Sequence, residues 1–324
     1  MRKLTLFCLA LFILSTSPAL AQFEDLLGGA SSVYADPEIT LKPSSPEPGE
    51  RVTASVNSYI PSVNGSAISW KLDGKEIPGS ANKNSVSFVA GKDGMEQTIT
   101  TTFNTPKGQT IVVKDEFTPR YLDIIIEPQT HVPSFYLGRA MPSTGSLVNA
   151  TLLISGLNSY SDYLFTWRVG RTVVGGSSQR GKNFTSFETT LDRYMLLSVE
   201  VTGTDGSLVA KKTVSVPSVN PFLKFYEYSP LLGLSNQPIN KSLSLIGNVT
   251  TVRAEPYYLD SRVYNNPAIA DWTLNKASYT DTNSNPYEVT LKRGSTSGRS
   301  TLNFHVRDTA QLLQGARGSI GINL

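Results

Sequence analysis

The sequence predicts an all-β chain of three β-sandwich domains in tandem, and three observations predict it. The first is a phrase that occurs three times: Ile68-Ser69-Trp70-Lys71-Leu72-Asp73-Gly74-Lys75, Phe165-Thr166-Trp167-Arg168-Val169-Gly170-Arg171 and Ala270-Asp271-Trp272-Thr273-Leu274-Asn275-Lys276. These hold all three tryptophans, 97 and 105 residues apart. An apolar residue stands two before and two after each Trp, with polar residues between, so each Trp points into a core from a strand. The second is punctuation: Asp-Gly, Gly-Arg or Asn-Lys ends each phrase, a tight-turn signal that reverses the strand. The third is that other short alternating runs follow at sandwich spacing and no long amphipathic helix is visible. At 324 residues two or three domains are expected, and repeats of about 100 residues are large enough to bury cores of their own.

Taken in order, the chain starts with a targeting pattern. Arg2 and Lys3 form a positive start, Leu4 to Leu14 is largely apolar, and Ala19-Leu20-Ala21 is an A-x-A site, so residues 1–21 are expected to be a signal peptide cleaved before Gln22. The apolar run is short for a membrane span. Residues 22–36 are expected to be a flexible leader. The mature chain would then lack Cys8, the one cysteine, and with it any disulfide or thiolate chemistry. Export without disulfides points to a bacterial envelope or extracellular location. Without Arg2 and Lys3 the chain carries 27 basic and 26 acidic residues, near neutrality, and no basic cluster stands out, so nucleic acid is not expected as a partner. No transmembrane span is expected in the mature chain.

The first domain is placed at 37–127. Ile39 and Leu41 open it, and Pro43 to Glu50 has too many prolines for a central strand. Val52, Ala54 and Val56 alternate with polar residues, as do Val86 with Phe88 and Ile99, Thr101 and Phe103. Thr105-Pro106-Lys107-Gly108 then turns into Ile111 to Val113. The second domain is placed at 128–217. Ala150, Leu152 and Ile154 precede its Trp strand, and Met195, Leu197, Val199 and Val201 lead into the turn Gly203-Thr204-Asp205-Gly206. Val209 to Val216 returns from that turn. The third domain is placed at 218–324, with Val252 and Ala254 before Trp272 and Val289, Leu302, Phe304 and Val306 after it. Asp308 to Arg317 holds its last hairpin loop, and Ile320, Ile322 and Leu324 form its closing strand. The joints, Leu122 to Ile126 and Phe222 to Tyr226, are apolar strands flanked by proline, not Gly/Ser linkers, which predicts a rigid rod.

On these Trp strands and on the closing hairpins around Thr105–Gly108 and Gly203–Gly206, the chain resembles tandem bacterial Ig-like domains of the PKD-like type. The joints Pro133-Ser134-Phe135-Tyr136-Leu137-Gly138 and Tyr228-Ser229-Pro230-Leu231-Leu232-Gly233 are similar to those of a group of exported three-domain proteins from small-genome candidate-phylum bacteria. The resemblance implies the fold and carries over no functional residues. Antibody-type domains match less well, because the cysteine pair and the tyrosine before its second member are missing.

Residues that could carry chemistry are few. His131, in a proline-bounded joint, and His305, between Phe304 and Val306, read as solvated surface histidines, and the acidic residues read as scattered on solvated faces. No G-x-S-x-G or phosphate-loop motif occurs. Asp281-Thr282-Asn283-Ser284-Asn285 begins like a calcium loop, but Pro286 stands where glycine belongs and Lys292 where glutamate does, so it reads as a polar turn. No catalytic residue, metal or cofactor is expected. Aromatic residues cluster at the joints, namely Phe135, Tyr136, Tyr226, Tyr228, Tyr257 and Tyr258. They read first as joint filling and second as stacking surfaces for a glycan or a protein. The expectation is a non-enzymatic, exported, rod-like structural or adhesive protein of the bacterial cell envelope, with an envelope or surface protein as partner bound through strand edges or loops. The alternative is a carbohydrate-binding module array that uses exposed tyrosines.

Overall fold

The fold is all-β, as the alternating runs predict. The structure is a computed structural model that describes residues 36–57, 63–280, 284–294 and 298–323. The expected signal peptide, residues 22–35 of the leader, Asp281–Asn283 of the calcium-like stretch, and Leu324 lie outside the described residues.

The first repeat holds β1 (Ile39–Lys42), β2 (Arg51–Val56), β3 (Ala67–Leu72), β4 (Lys75–Glu76), β5 (Ser85–Val89), β6 (Gln97–Asn104) and β7 (Thr110–Phe117). The second holds β8 (Leu122–Pro128), β9 (Leu147–Ile154), β10 (Tyr163–Val169), β11 (Thr172–Val173), β12 (Gln179–Arg180), β13 (Phe184–Glu188), β14 (Tyr194–Gly203) and β15 (Leu208–Pro217). The third holds β16 (Phe222–Ser229), β17 (Gly233–Leu234), β18 (Ser242–Ser244), β19 (Val249–Tyr257), β20 (Ile269–Leu274), β21 (Ala277–Ser278), β22 (Glu288–Lys292), β23 (Arg299–Arg307) and β24 (Gly315–Asn323).

One topology occurs three times. The sheets are β1-β2-β5 with β4-β3-β6-β7, then β8-β9-β13 with β11-β10-β14-β15, then β17-β16-β19-β22 with β18-β24-β23-β20-β21. This is the immunoglobulin-type division of strands, with the short strand after the Trp strand kept on the Trp sheet. By contacts, the described residues group into two compact units. One is drawn from Met1–Thr40, Ala54–Val86 and Ile99–Asp115, the other from Leu41–Thr53, Ser87–Thr98 and Glu116–Leu324.

The repeated phrase does the same work each time. Its turn pairs Leu72 with Lys75, Val169 with Thr172 and Leu274 with Ala277. Asp73 and Gly74, and again Asn275 and Lys276, all have positive φ, the conformation that two-residue hairpins require and that Asp, Asn and Gly tolerate best. Each indole is buried, and each N–H donates to a backbone carbonyl: Trp70 to Lys83 at 2.8 Å, Trp167 to Lys182 at 3.0 Å and Trp272 to Pro286 at 3.0 Å. In every repeat that carbonyl stands two residues before the strand that crosses back to the opposite sheet, β5, β13 or β22.

In the larger unit the cores are formed face to face. Leu122, Ile124, Val148, Ala150, Leu152 and Phe187 from one sheet meet Phe165, Trp167, Leu197, Val199 and Val201 from the other. In the third repeat Phe225, Val252, Ala254 and Val289 meet Trp272, Leu302, Phe304, Ile320 and Ile322. The hairpin loop expected at Asp308 to Arg317 is shorter, spanning Asp308–Gln314, and Gly315 to Arg317 already belong to β24. Among the described residues the one α-helix is Ser261–Asn265, too short to give a periodic signal, and no helix is long and apolar enough to cross a membrane.

The closing strand β24 is not an edge. It lies between β23 and β18, and it buries Ile320 and Ile322. Removing residues 319–324 strips two core isoleucines and the partner of two strands. We predict a loss of at least about 4 kcal/mol of third-repeat stability in urea unfolding followed by circular dichroism. An unchanged transition would show that the strand is dispensable.

Candidate functional site

The polar and aromatic residues of interest converge where the second repeat meets the third, within the larger unit. The chain leaving β8 does not turn back at once. It pairs with the third repeat instead: Ser261 N–H donates to Gln129 O at 2.9 Å, His131 N–H to Leu259 O at 2.7 Å and Tyr258 N–H to His131 O at 2.7 Å. Thr130 and Asp260 face each other in an antiparallel bridge. Tyr258 has a φ of 61°, unfavourable for a bulky side chain and held here by bonds at both its backbone and its hydroxyl.

His131 corrects the expectation of a solvated histidine. Its ring stacks on Tyr264 with centroids 3.5 Å apart, and Nε2 lies 2.7 Å from Glu255 Oε1. Glu255 is 2% exposed. Its other oxygen accepts from Arg253 Nε at 2.8 Å, and Arg253 reaches Glu288 Oε1 at 3.3 Å and the Tyr264 hydroxyl at 3.2 Å. Asn285 Nδ2 also donates to Glu288, at 3.0 Å. The outward parity of Arg253 and Glu255 on β19 is as alternation requires. That face is covered because the second repeat's chain lies on it. His305 does sit on the exposed face of its strand.

A second buried carboxylate lies a few residues on. Asp260 caps the helix Ser261–Asn265 by accepting from Arg262 N–H at 2.8 Å, and it accepts from Leu147 N–H of the second repeat at 2.8 Å. The Arg262 guanidinium grips both its oxygens, at 3.0 and 2.9 Å, and extends to Glu188 at 3.0 Å. Burial alone would raise the Asp260 pKa, but the Arg262 guanidinium and the two backbone N–H groups outweigh it and hold the carboxyl below its ordinary value. Buried Gln314 closes the set, accepting from Asp260 N–H and donating to Ser143 Oγ and Thr144 O.

Five of the six joint aromatics come together. Tyr136 meets Tyr257 edge-on at 5.4 Å and bonds the Tyr258 hydroxyl at 2.6 Å. Phe135 meets Tyr226 at 5.4 Å, and Tyr226 bonds the Tyr257 hydroxyl at 2.6 Å. Phe222 stacks on Tyr257 at 4.9 Å. Tyr228 is placed elsewhere, paired with Thr251 and Leu234. Tyr226 and Tyr257 are 3% and 6% exposed, so neither offers a ring face to a sugar.

Sequence reasoning missed Glu255, Arg253, Asp260 and Arg262. Asp260 ahead of Ser261-Arg262 carried a legible cap signal. Nothing in the spacing announced the others, because the fold sets their partners: Glu255 meets His131 124 positions away, Arg262 meets Glu188 74 away and Arg253 meets Glu288 35 away. Each of these groups is bonded to protein, so the arrangement fixes the geometry of the joint.

No family model matches this sequence, and no curated protein matches it as a relative. Among solved structures, the chain is similar to the three N-terminal domains of the highly immunogenic outer capsid protein of bacteriophage RB49. Identity is 12%, the TM-score is 0.25, and 89% of this chain and 97% of that one are covered. It is also similar to a Bacteroides ovatus protein, SGBP-B of a mixed-linkage glucan utilization locus (12% identity, TM-score 0.21, 90% and 71% covered). A third is a structure from a 1.5-MDa bacterial ice-binding adhesin (10% identity, TM-score 0.24, 90% and 99% covered). At TM-scores this low nothing about this chain follows from the likeness.

Two outcomes are expected of the joint. Glu255→Leu leaves Arg253 and His131 without their shared buried partner, and a broken buried pair costs about 3–5 kcal/mol. Urea unfolding should show that loss, and hydrogen exchange at the His131 and Tyr258 amides should quicken; unaltered exchange would mean that the pair does not hold the joint. The second outcome is alkaline. Burial, then the bond to Tyr136, pushes the Tyr258 phenol up to about 12, and burial, then the bond to Tyr226, pushes Tyr257 up as well. An unfolded tyrosine ionises near about pH 10. Above that the unfolded chain sheds protons that the joint retains, so stability falls between there and the folded value. Tyrosinate absorbance should therefore show a late component that opens together with the joint and moves to lower pH in Tyr136→Phe.

Proposed function

We propose that this is a non-enzymatic, exported structural or adhesive protein of the bacterial cell envelope that binds another protein. The observation that carries this reading is the use to which the reactive-looking residues are put. His131 with Glu255, Leu147 with Asp260 and Glu188 with Arg262 bind the second repeat to the third through direct hydrogen bonds and ion pairs, and Arg253 holds Glu255 from within the third. A chain that commits buried charges to orientation is suited to holding binding surfaces at fixed spacing. Large apolar side chains stand out from loops, Leu137 and Leu231 almost fully and Leu232, Ile246 and Leu312 nearly so, and they supply apolar contact area for a partner. The glycan reading loses Tyr257 and Tyr226 to burial. The signal pattern at 1–21 supports export.

The test is chemical crosslinking in the native envelope, with the full chain tagged after Gln22, followed by recovery under denaturing conditions. The expected result is one surface or fibre subunit in near-stoichiometric amount. Recovery of the chain alone, free in the medium, would overturn the reading.

A further inference from the structure

Two kinds of side chain that the joint does not use come together at the opposite end of the third repeat. The β16–β17 hairpin closes there where Ser229 pairs with Gly233, with Pro230, Leu231 and Leu232 as its tip. Ile246–Asn248 carries the chain across this end from β18 to β19. β22 stops at Lys292, opposite Val249, and Arg293 N–H still reaches Asn248 O at 2.9 Å. On the Trp sheet Arg299 opens β23 opposite Asn323, and Lys276 sits in the β20–β21 turn. The joint is at the other end of these strands. Phe222 pairs with Tyr257 at the joint, whereas Tyr228 pairs with Thr251 about 20 Å along β16.

The apolar side chains of this end face water. Leu231, Leu232 and Ile246 are 95%, 90% and 92% exposed, and Val249 beside them is exposed as well. Turns of Ser, Asn or Gly would close these loops equally well, so the leucines and the isoleucine contribute little to the fold. The tip is nevertheless built. Ser229 Oγ accepts from both the Leu231 and the Leu232 N–H, at 3.3 and 3.4 Å, and Gly233 turns the chain at a φ of 75°. Two backbone donors that would be costly to carry out of water are thereby satisfied within the tip. Tyr228, which lies outside the joint cluster, is half-buried one strand pair behind it. The charge beside the tip is of one sign. Lys276, Lys292, Arg293 and Arg299 are exposed, and no ion pair among the described residues includes them. The turns and strand ends named above contain no Asp or Glu. On β16 the nearest carboxylate, Glu227, is level with Val252, three residues in from the start of β19.

We propose that this end of the third repeat docks on an anionic lipid surface. Leu231, Leu232 and Ile246 enter the boundary between headgroups and acyl chains, and the four basic side chains meet lipid phosphates. Binding to such a surface grows with the apolar area buried and with attraction to anionic lipid, and this end supplies both. Lipid also suits the shape. A protruding tip of aliphatic side chains needs no matching pocket in a bilayer, whereas the anchors that carry protein interfaces are chiefly Trp, Tyr and Arg seated in pockets. The docking gives the chain a means of retention in the envelope, the location in the reading above, and it needs no protein partner. Leu137, beside Tyr136, and Leu312, in the loop that brings Gln314 to Asp260, are at the joint end and take no part in it.

The test is flotation of the chain from Gln22 onward, so that the apolar run at 4–14 does not itself bind lipid. The probes are vesicles of phosphatidylglycerol and phosphatidylcholine in equal parts, and vesicles of phosphatidylcholine alone. Binding to the anionic vesicles is expected, with far less to the neutral ones, and it should weaken between about 0.1 M and about 1 M salt as the charges are screened. Leu231→Ser with Leu232→Ser should weaken it by about tenfold or more. Lys292→Gln with Arg293→Gln should weaken it by about 25-fold, since each charge near an anionic surface is worth about fivefold. All four positions are exposed, so the melting temperature should not move. Leu137→Ser with Leu312→Ser should bind as the unaltered chain does. Equal binding by the Leu231/Leu232 variant, or equal binding to neutral and anionic vesicles, overturns the proposal. The two readings fail separately. Absence of vesicle binding overturns the lipid surface alone and leaves crosslinked capture of a protein to be judged by itself; capture that is then lost in the Leu231/Leu232 variant assigns this end to the protein partner instead.

Discussion

The indole N–H bond to the carbonyl ahead of β5, β13 or β22 is the constraint on which each repeat depends. Tryptophan is a large aromatic side chain whose indole N–H can only donate, and a buried donor must find an acceptor. The carbonyl it finds belongs to the connection that carries the chain from the Trp sheet back to the other. Volume and hydrogen bond together thus set where the crossing strand begins. From that start follow the register of Phe187 against Val148 in the second repeat and of Val289 against Val252 in the third.

With the repeats fixed in this way, the connection after the first strand is what differs between them. In the third repeat it returns as β18 and seals its own seam. In the second it first crosses to the next repeat, where Gln129 and His131 bond the backbone of Ser261, Leu259 and Tyr258, and then returns to pair Ser143 with Val219 beyond the end of β15. A connection of similar length thus forms a full edge strand in the third repeat, and in the second joins two repeats before it meets its own edge at one bridge.

The fold was legible because its signals are local. Val52, Ala54 and Val56 alternate, Asp73-Gly74 turns, and each needs only a few neighbours. The joint was less legible for the converse reason. Period-2 parity correctly puts Arg253, Glu255 and Tyr257 on the face away from the core, but parity cannot say whether water or another segment lies on that face. His131 read as solvated because its proline-flanked surroundings look like a loop, and its ring is covered by Tyr264, which is 133 positions away. The aromatics drew notice by composition alone, and Tyr228 shows the limit of that signal: it shares the outward face of Tyr226 on β16 yet stands outside the cluster.

The choice of charges for the joint also has a physical logic. A buried ion pair gains little over well-packed apolar side chains, since the attraction roughly offsets the loss of hydration. What it adds is direction. Glu255 accepts from Arg253 Nε on one oxygen and meets His131 on the other, and the Arg262 guanidinium spans Asp260 and Glu188, geometries that an oily contact could not enforce. A lone apolar patch of Tyr, Phe and Leu would allow the second and third repeats to slide or rotate while staying in contact. The polar network admits one arrangement, because any other leaves a carboxylate or a guanidinium buried and unpaired. Tyr136, Tyr257 and Tyr258 then fill the space around that network, and their hydroxyl bonds carry the same directional demand into the aromatic cluster. For a chain whose only cysteine is Cys8, this is how two sandwiches are held in register without a covalent link.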